Sequence, residues 1–199
     1  MSSPVIYYIR HGETGWNAEG RFQGSKDIPL NDLGRDQAAT SGKILGRVLA
    51  EEGRDIGALP FVSSPLGRAR MTMELARGAL NLPAADYSID NRLREIGYGN
   101  WEGLTLPEMQ LNDAATFASR SVNKWSVAAP GGESYESVTA RMRDWFNSVT
   151  ADTVTVAHGG TMRALMVALG IASAIEAADT PIGQGVVYVF RDGAMRKYG

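Results

Sequence analysis

Apolar positions along the chain alternate between strand-like runs and helical spacings. Val5-Ile6-Tyr7-Tyr8-Ile9 is a continuous apolar run, as expected of a short buried strand. Leu59-Pro60-Phe61-Val62 reads as a second strand running into the turn Ser63-Ser64-Pro65, and Tyr87-Ser88-Ile89 as a short edge strand. Thr153-Val154-Thr155-Val156-Ala157 is β-branched and alternating, a further strand. Near the end, Val186–Phe190 and Ala194–Tyr198 flank Asp192-Gly193, the signal of a hairpin.

Between these runs the period is helical. Asn31 can cap a helix whose apolar members are Leu33, Ala38, Ile44, Leu45, Val48 and Leu49. Gly42 and Gly46 argue against its being unbroken, and Gly53 is placed to end it. A second helix opens at Leu66 and runs to about Leu80, and 105–124 is polar and moderately helical. Pro130-Gly131-Gly132-Glu133-Ser134 turns into a helix carrying Val138, Met142, Trp145, Phe146 and Val149. His158-Gly159-Gly160-Thr161 opens the last helix. Residues 15–30, punctuated by Gly, Pro, Asn and Asp, read as a long ordered loop.

Composition narrows the class without naming it. A chain of 199 residues, 44% hydrophobic and 21% charged, suits one globular domain with a substantial core. A net charge of −2 gives no bias towards nucleic acid. No apolar run reaches membrane-spanning length, and a strand within a few residues of the start leaves no room for a signal peptide. The expectation is a cytoplasmic protein with neither nucleic acid nor membrane as partner. The lack of Cys excludes disulfides, thiolate chemistry and Cys-ligated metal.

Candidate chemistry gathers where strands end. Both histidines, His11 and His158, follow a strand and precede glycine. Ligand sites of open α/β sheets lie at the carboxyl ends of the strands. Arg10 offers a planar fork of donors suited to phosphate, and His11 can act as a nucleophile near neutral pH. Arg68 falls in the first helical turn after the second strand, where the helix dipole disfavours a cation but free amides favour an anion. Arg70 would face elsewhere and is read as structural. Glu95 and Glu102 share a glycine-rich, aromatic-flanked loop, where desolvation can make a carboxyl a general acid. Asn17, Arg21, Gln23 and Gly24 supply donors of the kind a phosphorylated ligand needs.

Taken in order, RHGET, SSPLGRARMT, the L-x-E…G-x-W-E-G pattern of Leu93 to Gly103, PGGES and VAHGG resemble the motifs of the histidine phosphatase superfamily, which includes the cofactor-dependent phosphoglycerate mutases. The resemblance spans nearly the whole chain. It implies an α/β three-layer sandwich, with a largely parallel central sheet and helices on both faces. The chain would be a single domain over 1–199, with a lid or insertion at about 105–129.

The implied site has His11 as nucleophile, Glu95 as acid, and Arg10, Arg68 and His158 around the phosphoryl group. Asn17 and amides near Gly159 would add donors, with Arg21, Gln23 and Gly24 as further binding candidates, while Trp101 and Glu102 would shape the loop. No metal or cofactor is implied, beyond 2,3-bisphosphoglycerate as a primer if the protein is a mutase.

Three activities stay open. A phosphatase acting on a small phosphorylated metabolite is preferred over a phosphoglycerate mutase, because the chain is short beside the dedicated mutases and GNWEG is the loop form commoner among phosphatase members. Residues 105–122 also offer only Arg120 as a basic grip. The third reading is a catalytically silent phosphate- or partner-binding module. Arg21, Arg120 and Lys124 could hold an acidic substrate or face solvent. A homodimer through the last hairpin stays open beside an ordinary sheet edge.

Overall fold

Strand β1 (Ile6–Arg10) is apolar from Ile6 to Ile9 because the protein covers it on both faces, and only its last residue, Arg10, is charged. Ile6 and Tyr8 belong to one core cluster, while Val5, Tyr7 and Ile9 belong to the other. That division follows from the two-residue repeat of a strand. The computed structural model describes residues 3–199. After β1 come α1 (Gly15–Ala18), α2 (Asp32–Glu51), β2 (Phe61–Ser63), α3 (Gly67–Ala79) and β3 (Ser88–Ile89). Next are α4 (Leu106–Asn112), α5 (Ala114–Val122), α6 (Tyr135–Asn147), β4 (Thr153–Ala157) and α7 (Gly159–Ala168). The chain closes with α8 (Ala174–Asp179), β5 (Val187–Arg191) and β6 (Ala194–Tyr198).

The strands form a six-stranded sheet ordered β3-β2-β4-β1-β5-β6. The pairs β3/β2, β2/β4 and β4/β1 are parallel, and β5 runs antiparallel to both β1 and β6. The sheet is therefore largely parallel, with an antiparallel hairpin added at one edge. Helices α2 and α3 contribute to the cluster on one face, α6 and α7 to the cluster on the other. This is the three-layer α/β arrangement expected from the sequence. Among the described residues no helix is long and apolar enough to cross a membrane.

Most elements fall where the pattern places them, and the departures have local causes. Residues 15–18 form a single helical turn inside the expected loop, because the Thr14 hydroxyl accepts the Asn17 amide while the Asn17 side chain accepts that of Thr14. Helix α8 was not anticipated, and Leu33 is exposed rather than on the buried face. The hairpin turn holds Asp192 and Gly193 at φ 49° and 72°, the left-handed pair that a two-residue hairpin turn needs.

Helix α2 runs unbroken through Gly42 and Gly46 because tertiary contact overrides their poor helix propensity. A Cβ on Gly42 would lie 2.4 Å from the Ala76 carbonyl oxygen of α3. Glycine here lets the two helices touch backbone to backbone. Gly42→Ala should therefore lower stability by about 1–3 kcal/mol despite its better helix propensity. A urea unfolding midpoint above that of the parent protein would contradict this packing.

Candidate active site

The parallel pairing of β4 with both β2 and β1 sets three chain exits side by side. Hydrogen bonding continues one residue past the strands: His11 N–H donates to Ala157 O at 2.9 Å, and Ser64 N–H to Val156 O at 2.9 Å. His11 and His158 thus emerge together, their ring centroids 5.1 Å apart. The two rings are buried, 2% and 0% exposed. Gly12 is required at this exit, since a Cβ there would lie 2.0 Å from the Gly34 carbonyl oxygen at the start of α2.

Each imidazole is held by a specific partner. His11 Nδ1 lies 2.7 Å from the Gly12 carbonyl oxygen. A carbonyl only accepts, so Nδ1 carries the proton and Nε2 keeps its lone pair. His158 Nε2 is 2.7 Å from the Ser64 hydroxyl, while its Nδ1 is buried without a partner. Tyr8, the β1 residue that reaches under α7, donates its hydroxyl to His158 O at 2.8 Å. The start of α7 is thereby pinned to the neighbouring strand.

Arginines surround the pair. Arg68 is 1% exposed and spends Nη1 and Nη2 on the carbonyls of Lys26 and Gly24, at 2.7 and 2.9 Å. Arg10 spends Nη1 on Ile182 O at 2.6 Å. The Nε atoms of both are buried and unpartnered. Burial draws the Arg10 and Arg68 pKa values down, with Glu95 pulling the other way in each case. Burial first, then Arg68 and other cations nearby, pushes both histidines well below their ordinary pKa. Both rings are neutral at pH 7 as a result.

Glu95 closes the opposite side. Its Oε1 accepts the Ile96 amide at 2.9 Å, and its Oε2 accepts the Gly160 amide at 3.2 Å. A Cβ at Gly160 would come within 2.4 Å of Glu95 Oε1, so the second glycine after His158 admits the carboxylate. Beside these groups is a cleft of about 230 Å³ whose walls include Arg10, His11, Asn17, Glu95, Gly159 and Arg163, while Arg68 and His158 are not part of its wall. Arg163 escaped the sequence reading. Its signal is the one that marked Arg68, a cation in the first turns of a helix that follows a strand.

The remaining candidates divide. Asn17, Arg21, Gln23 and Gly159 line the cleft. Arg21, however, is tied to Glu19, Glu108 and the Gly103 carbonyl, and Gln23 to the Thr14 hydroxyl. Gly24 is absent from the cleft wall. Its carbonyl orients Arg68, and a Cβ on it would meet Glu102 Oε1 at 2.1 Å. Glu102 shapes the loop as expected, accepting the amides of Ser25, Lys26 and Tyr98. Burial works to raise its pKa, but these donors hold it below the ordinary range. Arg70 contacts Tyr87, in keeping with a structural place. Among the described residues no group of three or more His, Cys, Asp or Glu side chains is arranged to hold a metal ion.

A buried cationic pocket at the carboxyl edge of a parallel sheet, with an unprotonated imidazole nitrogen inside it, defines an anion-handling α/β protein. The sequence matches the family described as histidine phosphatase superfamily (branch 1) over residues 6–192. A Citrobacter koseri protein called "Probable phosphoglycerate mutase GpmB" is 35% identical over 170 residues, covering 84% of this chain and 70% of that protein. The fold is similar to that of YhfR from Bacillus stearothermophilus, with a TM-score of 0.76, 29% identity, and coverage of 98% of this chain and 95% of that one. It is also similar to alpha-ribazole phosphatase from Shigella flexneri, with a TM-score of 0.80 and coverage of 96% and 93%. At 22% identity that last likeness concerns the fold alone. The chain belongs to branch 1 of the histidine phosphatase superfamily, an enzyme family that acts on small phosphorylated substrates.

The depressed histidine pKa values have a consequence for stability. Unfolded imidazoles bind a proton near pH 6.5, whereas the folded ones stay neutral until lower pH. Their contribution is therefore intact above pH 6.5 and is lost as pH falls through the window down to the folded pKa values. The stability difference between the parent protein and His11→Asn/His158→Asn should be flat above that pH. Below it, the difference should fall by up to about 1.4 kcal/mol per pH unit for each histidine. Denaturant titrations from pH 8 to pH 5 that give a constant difference would show that the folded rings take up protons normally.

Proposed function

We propose that this protein is a phosphomonoester hydrolase working through a phosphohistidine on His11. The observation that carries the reading is the Nδ1–H of His11 committed to Gly12 O, which leaves Nε2 as a nucleophile inside a cationic shell. With a phosphate monoester in the cleft, the Nε2 lone pair attacks phosphorus and the P–O ester bond breaks. Glu95, protonated for this step, passes its proton to the departing oxygen. Water then attacks the phosphohistidine and gives a proton back to Glu95. Inorganic phosphate leaves and His11 is restored. Arg10 Nε, Arg68 Nε and His158 Nδ1, each buried without a protein partner, are the donors left for the phosphoryl oxygens. Asn17 and the Gly159 amide stand beside them on the cleft wall.

Two observations favour hydrolysis over mutase chemistry. Arg21 already spends Nε and Nη1 on Glu19, Gly103 O and Glu108, and Arg120 lies outside this cleft, so beyond the phosphate-binding groups only Arg163 is left in the wall to grip a compact phosphoglycerate. The name of the Citrobacter relative keeps the mutase as the alternative. A phosphorus NMR time course with 3-phosphoglycerate, a trace of 2,3-bisphosphoglycerate and an aryl phosphate separates the two. Inorganic phosphate that accumulates, and fails to do so with His11→Ala, is the expected result. A 2-phosphoglycerate signal with little free phosphate would make the protein a mutase, and neither signal would favour a binding module.

Glu95→Gln should lower kcat by about 10²–10⁴-fold. The loss should be larger for alkyl phosphates than for nitrophenyl phosphate, whose leaving group needs little protonation. Equal losses on both substrates would remove Glu95 from the acid role.

A further inference from the structure

A second cavity, of about 320 Å³, adjoins the phosphate cleft, and Phe22 is a wall of both. Trp101, Met109 and Phe117 supply its apolar lining, and Arg120 and Lys124 its cations. Its roof is the pair α4–α5. The lid expected over the site therefore covers a space of its own beside the cleft. Apolar walls with a few placed polar groups are the usual make-up of a pocket for an organic ligand.

Arg120 gives the cavity a chemical preference. It is 7% exposed, and its guanidinium lies 5.6 Å from the Tyr98 ring centroid and 6.0 Å from those of Trp101 and Tyr135. The ring faces ease the burial of the charge but cannot accept its N–H groups in the ring plane. Nε and Nη2 are buried with no partner. Leaving charged donors unpaired in the interior is costly, and an anionic acceptor would relieve it. Lys124 is already occupied, donating to Ala178 O at 2.7 Å with Asp179 at 3.6 Å. Arg120 is thus the cation in this cavity with donors to spare. Phe22 packs edge-to-face on Tyr98 at 4.8 Å, and both rings line the phosphate cleft, so one aromatic ring separates the two spaces.

We infer that this cavity receives the organic part of the substrate, and that the favoured phosphomonoesters carry a flat apolar body ending in a carboxylate. The body packs among Phe22, Trp101 and Phe117, and the carboxylate pairs with Arg120. The inference rests on the cleft being the phosphate site, and it adds a substrate class to the hydrolase reading.

Binding of non-hydrolysable phosphonates tests it independently of turnover. Calorimetry would compare 4-carboxybenzylphosphonate and the longer (6-carboxy-2-naphthyl)methylphosphonate with their neutral carboxamides. For at least one of the two lengths, the carboxylate should bind the parent protein about tenfold or more tightly than its carboxamide. Arg120→Met should bring that ratio to about one, and Arg120→Lys should retain part of it. A merely structural role for Arg120 would weaken both members of a pair and leave the ratio unchanged. A ratio near one in the parent protein at both lengths, or one that survives Arg120→Met, overturns the inference. If Arg120→Met does not fold, Arg120→Lys and the parent ratios still decide. Hydrolysis of aryl phosphates is scored separately: turnover with a ratio of one removes the subsite alone, and a high ratio without turnover removes the hydrolase reading alone.

Discussion

The parallel pairing of β1 with β4 is the constraint on which the site depends. Arg10 is in register with Ala157, so the residues that follow, His11 and His158, leave the sheet as neighbours. The ladder bond from His11 N–H to Ala157 O makes the first of these exits part of the sheet rather than part of a loop. Tyr8 then ties the second exit back to β1 through the His158 carbonyl. Backbone hydrogen bonding sets the imidazole separation, and side-chain packing only refines it. The covered faces of β1 keep that pairing dry, which is why the strand has to be apolar on both sides.

The same geometry creates an electrostatic imbalance. Arg10, Arg68 and Arg163 converge on a region whose one nearby acid in the cleft wall is Glu95. Water cannot freely solvate these groups, and the Nε atoms of Arg10 and Arg68 find no protein acceptor. Charge of one sign held in a shielded place is a standing cost to the fold. An anion bound there would offset it, and the neutral histidines keep it from growing. The protein therefore gives up stability at the carboxyl edge that the two apolar clusters must cover.

How much of this was legible in the sequence depended on how local each cause is. The buried strands, the cap at Asn31, the turn of 130–134 into a helix and the Asp192-Gly193 turn are set by neighbours in sequence, and their elements formed as expected. The two histidines were found because strand, His and Gly are contiguous. Gly42 misled, since its reason for being glycine is Ala76, on another helix. Arg21 was read as a free donor, yet its partners Gly103 and Glu108 lie far along the chain. In the sequence Arg120 could grip an acidic substrate or face solvent, and only the fold, which sets Tyr98, Trp101 and Tyr135 around it, tells these apart. What a long cation does with its donors is a tertiary property, and composition does not encode it.

The bond from Arg21 to Glu108 adds a side-chain clasp where two distant parts of the chain already exchange backbone bonds, Phe22 N–H to Leu104 O and Gly103 N–H to Phe22 O. Glu108 also completes the N-terminal cap of α4 by accepting the Thr105 amide at 2.7 Å. One carboxylate thus anchors the near end of the α4–α5 pair both to its own first turn and to the wall of the phosphate cleft. At the far end Leu111 and Val122 are 84% and 91% exposed, and the tie there is made beyond α5, by Lys124 to Ala178 O at 2.7 Å. Descendants of this sequence are free to rewrite the exposed positions Leu111 and Val122, while Arg21 and Glu108 are bound to change together.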